Sequence, residues 1–137
     1  MGYLIKNVIE KIEVIVPLAD VLTLDTIPYT IIPFTNNNNY TILAANMQVE
    51  NVLGNQITDF GHFYLEYKPG VKSAVYDENV RDIEVETINN FIINMSHPPN
   101  IFGSATPKVI YDLSILTELT PSANCDLIVT VYYFNNF

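Results

Sequence analysis

Residues 22–45 read LTLDTIPYTIIPFTNNNNYTILAA, with two runs of β-branched and aromatic residues, 27–34 and 40–45, on either side of an asparagine tract. Residues of these types favour strands. Asparagine tolerates left-handed backbone angles and hydrogen-bonds to its own backbone, so residues 36–39 predict the turn of a hairpin. The stretch therefore indicates a β-sheet domain in which two neighbouring strands are joined by this turn.

Two prolines predict where the first of these strands lies in its sheet. Pro28 and Pro33 interrupt residues 27–34, and a proline cannot donate a hydrogen bond to a neighbouring strand. We therefore expect an edge strand here. The centre of the sheet is expected in residues 40–52 and in the closing run 126–134, DLIVTVYYF, because a nearly continuous apolar strand is typical of burial on both faces.

Alternating patterns predict further strands along the rest of the chain. Residues 60–67, FGHFYLEY, alternate most clearly, with Phe63, Leu65 and Tyr67 on one face. The other predicted strands are 9–16, for which a helix is the alternative, 73–76, an acidic strand within 77–86, and the first half of 108–119. Residues 18–24 are predicted as a short connector or an extended segment, 96–107 as the longest loop and 120–124 as a turn, whereas 87–95 form an apolar run of undecided type.

The number and spacing of these elements predict the fold class. They give about eight strands separated by turn signals at roughly 8–15-residue intervals, which favours an all-β fold of the β-sandwich class, jelly-roll-like, over a βαβ fold. Residues 1–137 contain no linker of glycine and serine and fit one domain.

The charge balance argues against several classes of partner. The net charge is −9, and the six Lys and Arg residues are scattered along the sequence. Because nucleic acids and anionic membranes attract clustered cations, neither is an expected partner. The sequence contains no run of about 18 apolar residues, so no membrane span is predicted. Lys6 interrupts the apolar run near the start of the sequence, so no signal peptide is predicted either. The single cysteine, Cys125, fits synthesis in a reducing cytoplasm and is interpreted as a small residue near a strand start.

No pattern in the sequence predicts a catalytic, cofactor or metal site. Neither His62 nor His97 has a second histidine or a cysteine at ligand spacing, so no zinc site is expected. The acidic segment 77–86 fails the EF-hand pattern because Arg81 stands at its fifth position, which leaves a calcium contact and a solvated acidic face as the two interpretations. We therefore predict no enzymatic activity and no cofactor.

The aromatic content is the composition's main hint of function. Nine Tyr and seven Phe occur without any Trp. Tyrosine combines a rigid ring with a polar tip, which suits both protein interfaces and stacking against sugars. Filling of an ordinary β core is the alternative.

The order of these features resembles small structural proteins of tailed bacteriophages. In that group an early segment of the form Leu-Asn-x-x-Pro-x-x-Leu-Ile/Val precedes a turn and a long strand, and the chain closes on a strand rich in Val and Tyr. The matching residues here are Leu24, Pro28, Ile31 and Ile32, then the run from Tyr40, and finally Val129, Val131, Tyr132 and Tyr133.

The resemblance implies a virion component, made in the host cytoplasm, that is a capsid decoration, a head-fibre subunit or a tail-associated subunit. Such a protein would form a homo-oligomer, a trimer or a larger ring, and would contact other virion proteins. The candidate interface residues are Pro28, Tyr29, Ile31, Tyr132, Tyr133 and Phe134. A carbohydrate- or receptor-binding module of the same architecture is the alternative, with its contacts expected in loops 36–39 or 96–107.

Overall fold

The computed structural model describes residues 9–33, 40–68, 71–77, 83–84 and 112–135. These residues form strands and one short helix, so the predicted all-β class is confirmed. The elements are β1 (Ile9–Val16), α1 (Leu18–Val21), β2 (Tyr29–Ile32), β3 (Tyr40–Gln48), β4 (Gln56–Thr58), β5 (His62–Lys68), β6 (Val71–Asp77), β7 (Ile83–Glu84), β8 (Leu113–Thr117), β9 (Ser122–Ala123) and β10 (Leu127–Asn135).

The first sheet has the order β1-β10-β3, and both of its pairings are antiparallel. Val129 of β10 lies between Val14 and Met47 of its neighbours, and the side chains of Val129 and Met47 are fully buried. The prediction that the closing run is a central strand is confirmed. The prediction of a central strand in residues 40–52 stays a prediction, because among the described residues β3 pairs with β10 alone. Alternation shows which face of a strand is buried, whereas the pairing of its two edges depends on distant residues.

The pairing of β3 with β10 contains a register shift. Ala44 lies opposite Tyr132 and Ile42 lies opposite Tyr133, so Leu43 is an extra residue in β3. An extra residue of this kind is a β-bulge, which exchanges the two faces of the strand beyond it. Ile42 therefore joins Ala45 on the buried face although the two positions differ in parity.

The second sheet has the order β2-β8-β5-β6. Within the residues described, β2 lies at an edge, as Pro28 and Pro33 predict. The alternation predicted for residues 60–67 is confirmed, because Phe63 and Leu65 are fully buried while the intervening side chains of β5 are partly exposed. The side chain of Tyr67 lies outside the described residues.

The third sheet is small and has the order β7-β4-β9. Residues 120–124 were predicted as a turn, but Ser122 and Ala123 pair with β4. The reason is the Asn124 side chain, whose Oδ1 accepts a hydrogen bond from the Gln56 amide at 3.0 Å and so extends the pairing beyond the two-residue strand. The side-chain oxygen of this turn asparagine thus takes the place of a backbone carbonyl of a neighbouring strand.

One hydrophobic core receives side chains from all three sheets. Leu127 of β10, Leu65 of β5 and Ile57 of β4 are fully buried in it, and the Phe60 and Phe63 rings lie 4.4 Å apart between centroids. The remaining local predictions are met in part. Residues 9–16 form a strand and not a helix, the predicted connector contains α1, and the described part of 108–119 forms β8.

Several predicted features lie outside the described residues. They are the hairpin turn at 36–39, the apolar run 87–95, the loop 96–107 and most of the acidic segment 77–86. The jelly-roll order of the strands stays a prediction.

Candidate functional site

Three of the candidate interface residues belong to β2 or precede it directly. Pro28 is exposed, and Tyr29 is half-buried and packs against the core. Ile31 is only 2% exposed and lies in the core of this chain, so its side chain offers no surface to a neighbour.

The other three candidates follow one another on β10, in the first sheet. Tyr132 and Tyr133 are half-buried, and Phe134 pairs through its backbone with Ile9 and Thr41. The side chain of Phe134 lies outside the described residues. The structure thus places the six candidates in two different sheets, and it does not join them into one continuous strand edge.

Tyr133 has a defined partner on the neighbouring strand. Its hydroxyl donates a hydrogen bond of 3.3 Å to Oε1 of Glu10, the residue directly opposite on β1. Burial of the phenol, together with the negative charge of Glu10, raises the pKa of Tyr133 above its ordinary value. This hydrogen bond links the first residues of β1 to β10, the central strand of the sheet.

β1 carries a pattern of exposure that the sequence predictions did not use. Its odd-numbered residues, Ile9, Lys11, Glu13 and Ile15, are exposed, and the two isoleucines keep 60% and 57% of their surface. We call these four residues the outer face of β1. In the sheet as described the strand has one neighbour, β10, and no described residue pairs with its second edge, which we call the open edge of β1. The residue types at alternate positions of IEKIEVIV were enough to identify this face from the sequence.

A second group of exposed apolar side chains surrounds the start of β2. Ile27 is 63% exposed and Leu119 is 51% exposed. The segments that carry them are fastened together, because the Thr120 hydroxyl donates a 2.6 Å hydrogen bond to Asp25 Oδ2. We call Ile27, Pro28 and Leu119 the β2 surface.

A polar cluster lies on the outward side of β5. The His62 ring is 3.0 Å from Oε1 of Glu118 and is stacked on Tyr64, with the ring centroids 5.8 Å apart. Lys72 places its Nζ 5.6 Å from the centre of the Tyr64 ring. His62 is thus a polar-face strand residue, as predicted. Its partner Glu118 was missed, because 56 residues separate the two in the sequence.

The described part of this cluster does not form a metal site. Across the described ranges, no three His, Cys, Asp or Glu side chains converge as metal ligands would. Cys125 lies apart, just before β10, with its Sγ 3.7 Å from the Gln56 carbonyl oxygen. Burial raises the pKa of the Cys125 thiol, which makes it a poorer nucleophile at neutral pH.

Comparison with known proteins gives no relative from which a function could be transferred. No protein-family model, curated protein or solved structure matches the chain. In the part of the chain described, no helix is long and apolar enough to cross a membrane. The function is therefore inferred from the surfaces described above and from the sequence resemblance.

Proposed function

We propose that the protein is a non-enzymatic structural subunit of a tailed-bacteriophage virion, as a capsid decoration, a head-fibre subunit or a tail-associated subunit. It acts by symmetric assembly with copies of itself and by contact with other virion proteins. The observation that carries the proposal is the β2 surface, where Ile27 and Leu119 stay largely exposed beside an edge strand. Exposed apolar groups next to an open edge are typical of protein contact sites.

The backbone under this surface is already ordered before any partner binds. The Thr117 amide donates to the Leu24 carbonyl at 3.2 Å, and Thr26 and Ile27 both donate backbone hydrogen bonds to Thr23. Covering a side chain on a fixed backbone costs less conformational entropy than ordering a loose loop. The β2 surface is therefore suited to repeated, identical contacts in a ring.

The prolines decide what kind of contact this surface can make. Pro28 and Pro33 flank the four residues of β2, so few backbone donors are available for pairing with a neighbouring strand. Contact through the β2 surface would consist mainly of apolar side-chain packing. The net charge of −9 keeps the remaining surface hydrated and suits a cationic patch on another virion protein.

The test combines the mass of the assembly with one substitution. We expect the purified chain to form a trimer or larger ring, measured by light scattering on a sizing column. Ile27→Asp should release smaller species, because a buried unpaired carboxylate is costly. Leu53→Asp is the matched control, since Leu53 is 87% exposed on a different turn. A monodisperse monomer without affinity for any virion component would overturn the proposal.

The genome supplies an independent test of the virion role. Capsid, portal or tail reading frames beside this gene, together with the chain in the mass spectrum of purified particles, are the expected findings. Detection of the chain in infected cells but never in particles would contradict the proposal.

A carbohydrate- or receptor-binding module is the second candidate function. The observation in its favour is the polar cluster, where the half-buried Tyr64 ring lies 5.8 Å from the His62 ring and 5.6 Å from Lys72 Nζ, so that an aromatic ring stands beside polar groups. Binding on a glycan array that Tyr64→Ala abolishes would support it. A silent array, with an intact assembly, would favour the structural role.

A further inference from the structure

The open edge of β1 is long enough to pair with another strand. β1 has eight residues, and β10 occupies one of its edges in the sheet as described. In an antiparallel ladder, alternate residues of an edge strand direct their N–H and C=O groups away from the sheet. The open edge of β1 therefore presents a row of donors and acceptors that a further strand would satisfy.

The outer face of β1 is complementary to itself. If two copies of β1 run antiparallel about a two-fold axis at Ile12, Lys11 lies opposite the partner's Glu13 and Ile9 lies opposite the partner's Ile15. Each pair occurs twice, because the two-fold axis repeats it. Opposite charges and large apolar side chains directly across a ladder both stabilise the pairing of strands. All four residues are exposed and available for such contacts in the single chain.

The charges also select this alignment against its neighbours. A two-residue slip in either direction centres the axis on Lys11 or on Glu13, and it places that charged residue opposite its own copy. Like charges directly opposite each other destabilise a ladder. A one-residue slip would exchange the inner and outer faces of one strand, which the buried side of the sheet resists. The alignment about Ile12 is the one that avoids both penalties.

We propose that a second copy of this chain binds the open edge of β1, antiparallel about a two-fold axis at Ile12, with Lys11 opposite the partner's Glu13. The pairing joins the two first sheets into one continuous sheet of six strands, in the order β3-β10-β1-β1-β10-β3. The inner faces of both copies stay on the same side, so the two cores are not disturbed. This two-fold contact is distinct from the ring contact of the β2 surface and does not depend on a virion role.

The competing explanation is that the charges protect the edge from pairing. Edge strands often carry lysine or other charges that prevent such association. Protection works best when the charges repel their own copies in every alignment. The outer face of β1 instead carries one cation and one anion symmetrically about Ile12, so a two-fold partner neutralises both.

Charge exchange tests the proposal with variants whose changes lie on the exposed outer face. Because the β2 surface would add ring contacts, every chain in this test carries Ile27→Asp, and the chain with β1 unchanged is the wild type of the series. We expect this wild type to dimerise reversibly in sedimentation velocity runs between about 1 µM and about 1 mM. Lys11→Glu and Glu13→Lys should each weaken dimerisation on the order of tenfold, because each converts two attractive pairs into repulsive ones. The double variant Lys11→Glu with Glu13→Lys should restore the wild-type constant to within about threefold.

Net charge provides the control. Glu13→Lys brings the chain closer to neutrality, so a general charge effect would strengthen its association, whereas the proposal requires it to weaken. Glu50→Lys makes the same change in net charge at an exposed position outside β1 and should leave dimerisation unchanged. The proposal would be overturned if both single variants dimerised as strongly as wild type, or if the double variant dimerised as weakly as the single variants. A wild-type chain that remains monomeric at the highest concentration would overturn it as well.

Cysteine cross-linking tests the alignment itself, in a Cys125→Ser background. Ile12→Cys places the two thiols opposite each other on the axis, where Cβ atoms about 4.5–5.5 Å apart are close enough for a disulfide after small adjustment. Val14→Cys is the matched control, since Val14 shares the inner face and the half-buried state of Ile12 but lies opposite the partner's Glu10. Oxidation should give covalent dimers of the first variant only. Cross-linking of Val14→Cys alone would place the axis elsewhere and overturn the proposal.

Discussion

Gly61 lies between β4 and β5 with a positive φ of 75°, against the side chain of Glu118. A Cβ on Gly61 would lie 2.5 Å from Glu118 Oε1, whereas a Cβ on Gly54, which has φ of 94°, would have no atom within 4 Å. The two glycines share the left-handed backbone that glycine adopts readily and differ in the space around them. They therefore separate backbone strain from steric conflict.

Alanine at these two positions should have different effects on stability. We expect Gly54→Ala to lower the free energy of unfolding by about 1–2 kcal/mol, through backbone strain alone. Gly61→Ala should lower it by about 2–4 kcal/mol, because the new methyl group also displaces Glu118 from His62. Urea denaturation measures both values.

The Gly61→Ala effect should be partly reversed when Glu118 is shortened. In the double variant Gly61→Ala with Glu118→Ala the contacts with Oε1 and Cδ of Glu118 are gone and only the 3.2 Å approach to the Cβ of residue 118 remains. Its loss should therefore move toward that of Gly54→Ala plus the effect of Glu118→Ala alone. Equal losses for the two glycine variants would contradict the assignment of a close contact at Gly61.

Tyr133 should make the stability of the chain depend on alkaline pH. Because burial and the charge of Glu10 raise its pKa in the folded state, the neutral phenol contributes stability that is fully present below the ordinary value of 10.0. That contribution is lost as the pH rises through the higher folded-state pKa. We expect the difference in free energy of unfolding between wild type and Tyr133→Phe to shrink above about pH 10, measured by urea denaturation at several pH values. A difference that is constant from pH 8 to pH 11 would contradict the raised pKa.

Individual strands were predictable where the local pattern alone determines them. Residues 9–16 carry a dense run of β-branched side chains and form β1 with those bounds. The closing run is apolar at nearly every position, and β10 indeed has a neighbour on each edge. Local patterns report β propensity, and a high share of β-branched side chains is what these two strands have in common.

The elements that sequence missed depend on contacts between distant residues. In the described sheet β3 has β10 as its one neighbour, which no local pattern indicates, and β9 exists because Asn124 bonds to Gln56 across 68 residues. The candidate site shows the same difference between residues that a local pattern reveals and residues that only distant contacts reveal. Tyr133 was found from its place in an aromatic run, whereas its partner Glu10 becomes visible only once the register of the sheet is known.

For the whole molecule, self-association should appear in its thermal stability. If dimers form through β1, the apparent Tm rises with protein concentration, because association stabilises the folded state by mass action. We expect this rise for wild type and for the double variant with exchanged charges at positions 11 and 13, but a smaller one for Lys11→Glu. Calorimetry across a hundredfold range of concentration measures it. A wild-type Tm that is independent of concentration would contradict two-fold pairing.

The bulge at Leu43 has a consequence for how this gene can change length. On either side of Leu43 the pairing of β3 with β10 is regular, and Ile42 and Ala44 already lie opposite consecutive residues of β10. Loss of the Leu43 codon would thus leave a continuous ladder with every flanking side chain on its present face. Loss of a codon between Ala44 and Met47 would also remove the extra residue, but it would move the side chains between Leu43 and the deletion to the opposite face of the strand. Among related genes, single-codon insertions and deletions in β3 are accordingly expected to accumulate at this one position.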